Sequence, residues 1–170
     1  MSKFQAVAQQ LEGWDLDAMV ILSEPNRLYV TGFHSTAGVA LVTGEGSWFF
    51  TDSRYIEAAG RAITDAAVEE NTRERPALTR VAEILKERGL ERVGYEETYL
   101  TVAEFRRLEE RLPGTLVPAA GLIAGLRAVK DGWELEQMVK AQRIAEKALA
   151  EVLNDIRPGR TEREIAARLQ

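Results

Sequence analysis

The chain carries one histidine, His34, and no cysteine, which narrows the chemistry its side chains can do. A metal site draws three or more converging ligands, with imidazole and thiolate as the usual nitrogen and sulfur donors. Here the donors are one imidazole and scattered carboxylates. Asp52, Asp131 and Asp155 have simpler explanations as two helix caps and a solvated helix-end charge. No metal site is expected within the chain. Nucleophilic catalysis is as poorly supplied: there is no Gly-x-Ser-x-Gly elbow, and His34 lacks an identifiable partner. Gly44-Glu45-Gly46 leads into Ser47-Trp48 and a strand rather than a helix N-terminus, so it is no phosphate loop.

The segment Phe33-His34-Ser35-Thr36-Ala37-Gly38 is the strongest functional candidate. It falls between an expected short helix and a strand, and loops held between rigid elements are where binding residues concentrate. An aromatic and an imidazole side by side on such a loop have little packing rationale. Two readings stand: Phe33 caps the core beside a surface His34, or the pair faces a substrate. Asp52 and Arg54 come next, either as a capped helix with a local ion pair or as substrate contacts.

The elements that position these residues follow from periodicity. Phe4, Val7, Ala8 and Leu11 lie at helical spacing up to Gly13, which reads as the stop. Ala18 to Leu22 is a continuous apolar run, the pattern of a strand covered on both faces. Ser23-Glu24-Pro25 reads as a helix start with a capping hydroxyl, and Gly32 as its end. Val39 to Thr43 and Ser47 to Thr51 read as a hairpin, followed by a helix over 53–61 capped by Asp52. Further strands are expected over 66–69, 92–95 and 115–118, with helices over 76–88, ending at Gly89, and from Thr101, where Glu104 completes a capping box. Alternating short strands and helices predict an α/β layer fold with a mixed sheet.

Near 121–130 this alternation gives way to one long helix. Asp131 and Glu134 form its capping box, and Leu135, Met138, Ala145, Leu149, Val152 and Ile156 its apolar stripe, up to Pro158-Gly159. The domain boundary is placed there, giving 1–125 and 126–170. Thr161 with Glu164 opens another helix whose apolar face, Ile165 and Leu169, has barely begun at Gln170, so truncation of a longer protein is expected.

Twenty-seven acids against twenty-two bases give a net charge of −5, so no basic field exists for a nucleic-acid backbone. No apolar run approaches the roughly eighteen residues of a membrane span, and the N-terminus lacks a signal-peptide pattern. No nucleic acid and no membrane are expected as partners, and the cytoplasm is the expected compartment.

Three stretches occur in a telling order: Asp17-Ala-Met-Val-Ile-Leu-Ser-Glu-Pro-Asn26 leading into Arg27-Leu-Tyr29-Val-Thr-Gly32-Phe33; Thr51-Asp52-Ser53-Arg54-Tyr55; and Leu126-Arg127-Ala-Val-Lys130-Asp131 with Glu134. Together they resemble the amino-terminal half of the pita-bread metallopeptidases, namely the Xaa-Pro dipeptidases (prolidases), aminopeptidase P and their relative creatinase. The resemblance implies a ribonuclease-H-like three-layer α/β domain with a mixed sheet, followed by the first helices of a pita-bread domain. It implies a hydrolase in which two divalent ions, manganese, cobalt or zinc, activate a water that attacks the amide before proline. Their ligands, two aspartates, a histidine and two glutamates, would all lie after Gln170, leaving this span without catalytic residues.

The resemblance also implies a homodimer in which this domain closes over the neighbour's active site. The in-trans contacts to a proline-containing peptide would come from Phe33, His34 and Ser35, with Asn26 and Tyr29 as supports behind the loop. Asp52, Arg54, Tyr55, Arg127 and Lys130 would belong to structural motifs. Two alternatives stand beside this reading: a creatinase-like amidinohydrolase, and a non-catalytic peptide-binding or interaction module of the same fold.

Overall fold

The apolar run at Ala18 becomes a strand near the middle of the sheet. The computed structural model describes residues 1–168, and in it β1 (Ala18–Ile21) is buried at every position. Met19 and Ile21 join Phe4, Val7, Phe49 and Ile123 in one core, while Ala18 and Val20 join Phe50, Val81, Leu85 and Leu108 in another. Covered on both faces, the strand needs apolar side chains throughout, so the run shows no period of two.

β2 (Val39–Thr43) and β3 (Ser47–Thr51) form the expected antiparallel hairpin, with Val42 opposite Ser47. The Thr43 hydroxyl accepts the N–H groups of Glu45 and Gly46 and so closes its turn. β4 (Ala67–Glu70) runs parallel to β3, β5 (Arg92–Tyr95) parallel to β1, and β6 (Thr115–Pro118) parallel to β5. The spatial order is β4-β3-β2-β1-β5-β6. Only β2 runs against the rest. One face is covered by α1 (Lys3–Gln10), α2 (Glu24–Thr31), α3 (Ile56–Ala62) and, later in the chain, α6 (Ala120–Ala128); the other is covered by α4 (Ala77–Glu87) and α5 (Val102–Arg111). This is the three-layer, mixed-sheet α/β arrangement anticipated from the sequence.

Local chemistry departs from expectation at four points. The first helix ends without using Gly13: the chain makes a 3-10 turn over Glu12–Trp14, and Asp15, at φ 54°, takes the left-handed position. Ser23 does begin α2, but its hydroxyl caps nothing, because Glu96 claims it. Asp52 does not cap a helix over 53–61. Its carbonyl accepts from the N–H groups of Tyr55 and Ile56 in a turn, and α3 starts only at Ile56. Residues 120–128 form a separate helix, held in the first body by buried Leu122 and Ile123.

The chain divides into two compact units, residues 1–128 and 129–170. In the second, α7 (Gly132–Leu153) and α8 (Glu162–Ala166) begin with the capping boxes Asp131/Glu134 and Thr161/Glu164. Of the stripe along α7, Val152 is buried and Leu135, Met138 and Leu149 are exposed. Leu169, assigned from the sequence to the apolar face of α8, lies outside the described residues. No described helix is long and apolar enough to cross a membrane.

One carboxylate ties the start of β1 to the start of β5. Asp17 Oδ2 accepts the N–H groups of Glu91 and Arg92, each at 2.8 Å. The Arg92 N–H, with that of Glu91, holds its carboxyl below the ordinary aspartate range. A depressed folded pKa contributes stability above the unfolded pKa, and that stability is lost as pH falls through the folded value. Asp17→Asn is therefore expected to cost about 1 kcal/mol at neutral pH, limited by solvent screening. Urea unfolding should show the gap closing in acid, and an equal gap at both pH values would contradict this assignment.

Candidate functional site at the carboxyl edge of the sheet

Since β1, β3, β4, β5 and β6 all point one way, their carboxyl ends share one edge of the sheet. The antiparallel β2 starts at that same edge. Topology therefore gathers segments that are distant in sequence: Leu22 to Asn26 after β1, the loop from Gly32 to Gly38 before β2, Asp52 to Tyr55 after β3, and Glu96 to Leu100 after β5.

The loop is tied along most of its length. Gly32, at φ 63°, turns the chain out of α2, and the Thr31 hydroxyl accepts the Phe33 N–H at 3.0 Å. Arg27 Nη2 donates to the Ser35 carbonyl at 3.0 Å, and Nη1 donates to the Leu22 carbonyl. The Thr36 hydroxyl lies 3.0 Å from the Tyr55 phenol, and Thr51 Oγ1 donates to the Ala37 carbonyl at 3.0 Å. Gly38 closes the loop at φ 150°, where a Cβ would stand 2.8 Å from the Phe49 ring.

These ties sort the expected site residues. Phe33 is half-buried, with its ring edge-on to Phe49 at 6.5 Å and to Tyr55 at 6.2 Å. The idea of an aromatic without packing demand is thereby corrected. Ser35 is buried and gives its carbonyl to Arg27. His34 projects outward, its Nε2 3.0 Å from Glu24 Oε1 and both side chains well exposed, whereas the exposed Thr36 is tied to the Tyr55 phenol. Tyr29 is half-buried against the core with the Lys3 ammonium 4.7 Å from its ring centroid, away from the contacts that tie the loop.

Asp52 and Arg54 form a two-pronged pair, with Nε 3.1 Å from Oδ1 and Nη2 2.6 Å from Oδ2. The Arg54 guanidinium holds the Asp52 carboxyl below its usual range, and lies 5.2 Å from the Tyr55 ring centroid. The hydrogen bond to Thr36 lowers the Tyr55 phenol. Lys130 belongs to the second unit.

Sequence reasoning missed the two residues that organise the edge. Glu96, 1% exposed, receives four hydrogen bonds: Oε2 from the N–H groups of Leu22 (2.5 Å) and Ser23 (2.9 Å), and Oε1 from the Ser23 hydroxyl (2.5 Å) and Asn26 Nδ2 (2.6 Å). Asn26 passes the connection on, its Oδ1 accepting from Arg127 Nη1 at 2.8 Å. Arg27 is the second, 4% exposed. Burial pushes its guanidinium down, against the opposing pull of Tyr99, Glu24 and Glu96. The available signal was an acidic residue immediately after a predicted strand, at the edge where α/β sheets keep their functional groups.

Residues 3–129 match the family model described as the Creatinase/Prolidase N-terminal domain. The chain belongs to that family. Among curated proteins, this creatinase/prolidase N-terminal domain is 29% identical over 156 residues to the "Uncharacterized peptidase YqhT" of Bacillus subtilis (strain 168), a match covering 91% of this chain and 44% of that protein. Among solved structures, the Xaa-Pro dipeptidase from Bacillus anthracis superposes with a TM-score of 0.91 at 28% identity, over 98% of this chain and 46% of that one. The N-terminal domain of the cytoplasmic peptidase PepQ from Mycobacterium tuberculosis H37Rv superposes with a TM-score of 0.64 at 27% identity, over 73% of this chain and 97% of that one. The chain thus spans less than half the length of the first two relatives. Among its described residues no three His, Asp or Glu side chains are grouped to hold a metal ion. Among them, His34 has the carboxylate of Glu24 beside it.

Proposed function

We propose that this chain is the subunit-pairing and active-site-capping part of a metal-dependent Xaa-Pro peptidase that hydrolyses the amide bond before proline. The chemistry, with two divalent ions, belongs to a catalytic domain outside the chain. The 170 residues alone are inert. The observation that carries this reading is the loop from Gly32 to Gly38: its ends and middle are fixed, and it turns the His34 imidazole outward, at the edge of a domain matching the first part of such peptidases. A rigid loop presenting an imidazole can orient a small polar substrate and exclude water over a neighbouring centre.

The test uses a full-length protein that carries this domain. His34→Ala should raise KM or lower kcat/KM for a dipeptide ending in proline, with stability unchanged within about 0.5 kcal/mol, since the side chain is exposed. Phe33→Ala is the poorer probe because its ring packs on Phe49. Mixing the His34→Ala subunit with one inactivated at its metal ligands then assigns the contact. Under in-trans capping, the sites that keep their metals face an intact His34 and retain full kcat/KM. If they instead show the reduced value of the His34→Ala homodimer, the cap acts within its own subunit and the proposal fails.

A further inference from the structure

β1 and β5 are parallel neighbours, yet their connections leave toward opposite faces: β1 feeds α2 in one helical layer and β5 feeds α5 in the other. Where connections part in this way a crevice opens beyond the carboxyl ends of the strands, and open α/β sheets place ligands there. Beside that edge, on the side of the α4 and α5 layer, lies a cavity of about 440 Å³, within the size range of small-molecule sites. Its apolar surface comes from Leu22 after β1, Leu78 on α4, Leu100 before α5 and Leu108 on α5. Tyr99, half-exposed, adds an aromatic wall.

The polar part of the crevice is cationic. Arg107 and Arg111 lie four residues apart on α5, hence on one face, and both line the cavity. The one acid in the lining, Glu104, is held by the helix start, its Oε2 accepting the N–H and hydroxyl of Thr101 at 2.8 and 2.7 Å; those bonds, and after them the charge of Arg107, keep its carboxyl below the usual range. Among the described residues neither arginine closes a salt bridge. In a chain of net charge −5, two guanidinium groups over a leucine-lined hollow are suited to a ligand with a negative head and an apolar body.

We propose that this crevice binds a small carboxylic acid with an aromatic or branched apolar body, the carboxylate held by Arg107 and Arg111 and the body resting on the leucines and Tyr99. The site is separate from the His34 loop and independent of the peptidase reading. The test is a titration of the methyl-labelled 170-residue chain with 4-phenylbutyrate, followed by NMR. Saturable shifts are expected at Leu22, Leu78, Leu100 and Leu108. Affinity should fall about tenfold or more for the neutral 4-phenylbutyramide and for an Arg107→Gln/Arg111→Gln variant, because charge-assisted hydrogen bonds are lost. His34→Ala should leave the titration unchanged. Both arginines are exposed, so the double variant should fold, and its spectrum reports whether it does. Absence of saturable shifts at these leucines, or equal affinity for acid and amide, overturns the proposal.

Discussion

Glu96→Ala is expected to destabilise the first unit by about 3–5 kcal/mol, because it leaves several buried donors without an acceptor. The carboxylate takes four hydrogen bonds from Leu22, Ser23 and Asn26 and is almost wholly out of water. Two of those donors are backbone N–H groups at the end of β1, which cannot turn away to find water. Glu96→Gln separates charge from shape. An amide nitrogen at the Oε2 position would face two N–H donors, so it must take the Oε1 side. There the Ser23 hydroxyl can reverse and accept, but Asn26 must flip to offer its oxygen, giving up Arg127. Glutamine should therefore cost less, about 1–3 kcal/mol, and should speed hydrogen exchange at the Arg127 end of α6. Chemical denaturation of both variants provides the measurement. Unfolding within about 0.5 kcal/mol of the parent for both would remove Glu96 from the centre of this edge.

The hub was hidden from the sequence because its partners lie about seventy residues away, and no local period marks a contact of that range. Features set by neighbours along the chain were legible. The strand over 92–95, the glycine stop at Gly89 and the capping boxes at Thr101, Asp131 and Thr161 follow from side chains within four residues of one another. Local rules failed where a distant group outbid them. Ser23 has the residue type and backbone of a cap, yet the buried carboxylate of Glu96, just after β5, offers its hydroxyl a stronger acceptor than a solvated N–H offers a donor. Asp52 is drawn off instead by a near neighbour, its carboxylate taking both the N–H and the guanidinium of Arg54. At the candidate site the sequence marked the loop correctly as a segment set between rigid elements. Which of its side chains faces out was unreadable, because burial of Ser35 and packing of Phe33 depend on Arg27, Phe49 and Tyr55 arriving from other elements.

Arg27→Leu should loosen that loop and cost about 1–3 kcal/mol. The guanidinium spans two carbonyls, Leu22 at the end of β1 and Ser35 in the loop, so its removal leaves two acceptors in a buried place. The cost stays moderate because the cation is itself expensive to keep: burial works against it, and among the described residues its Nε and the Ser35 hydroxyl have no hydrogen-bond partner. Leucine recovers part of that desolvation. Arg27→Lys keeps the charge but cannot bridge both carbonyls with one rigid fork, so it should match leucine in loop mobility while differing in stability. Amide exchange at Ser35 and Thr36 should rise about tenfold or more in both variants, corresponding to at least ~1.4 kcal/mol of lost local protection. In a full-length protein carrying the domain, both should lower kcat/KM as His34→Ala does, since an imidazole on an unfixed loop no longer sits at one place. Unchanged exchange at Ser35 and Thr36 in both variants would mean that Thr31, Thr51 and Tyr55 hold the loop without Arg27, leaving the buried cation no role in positioning His34.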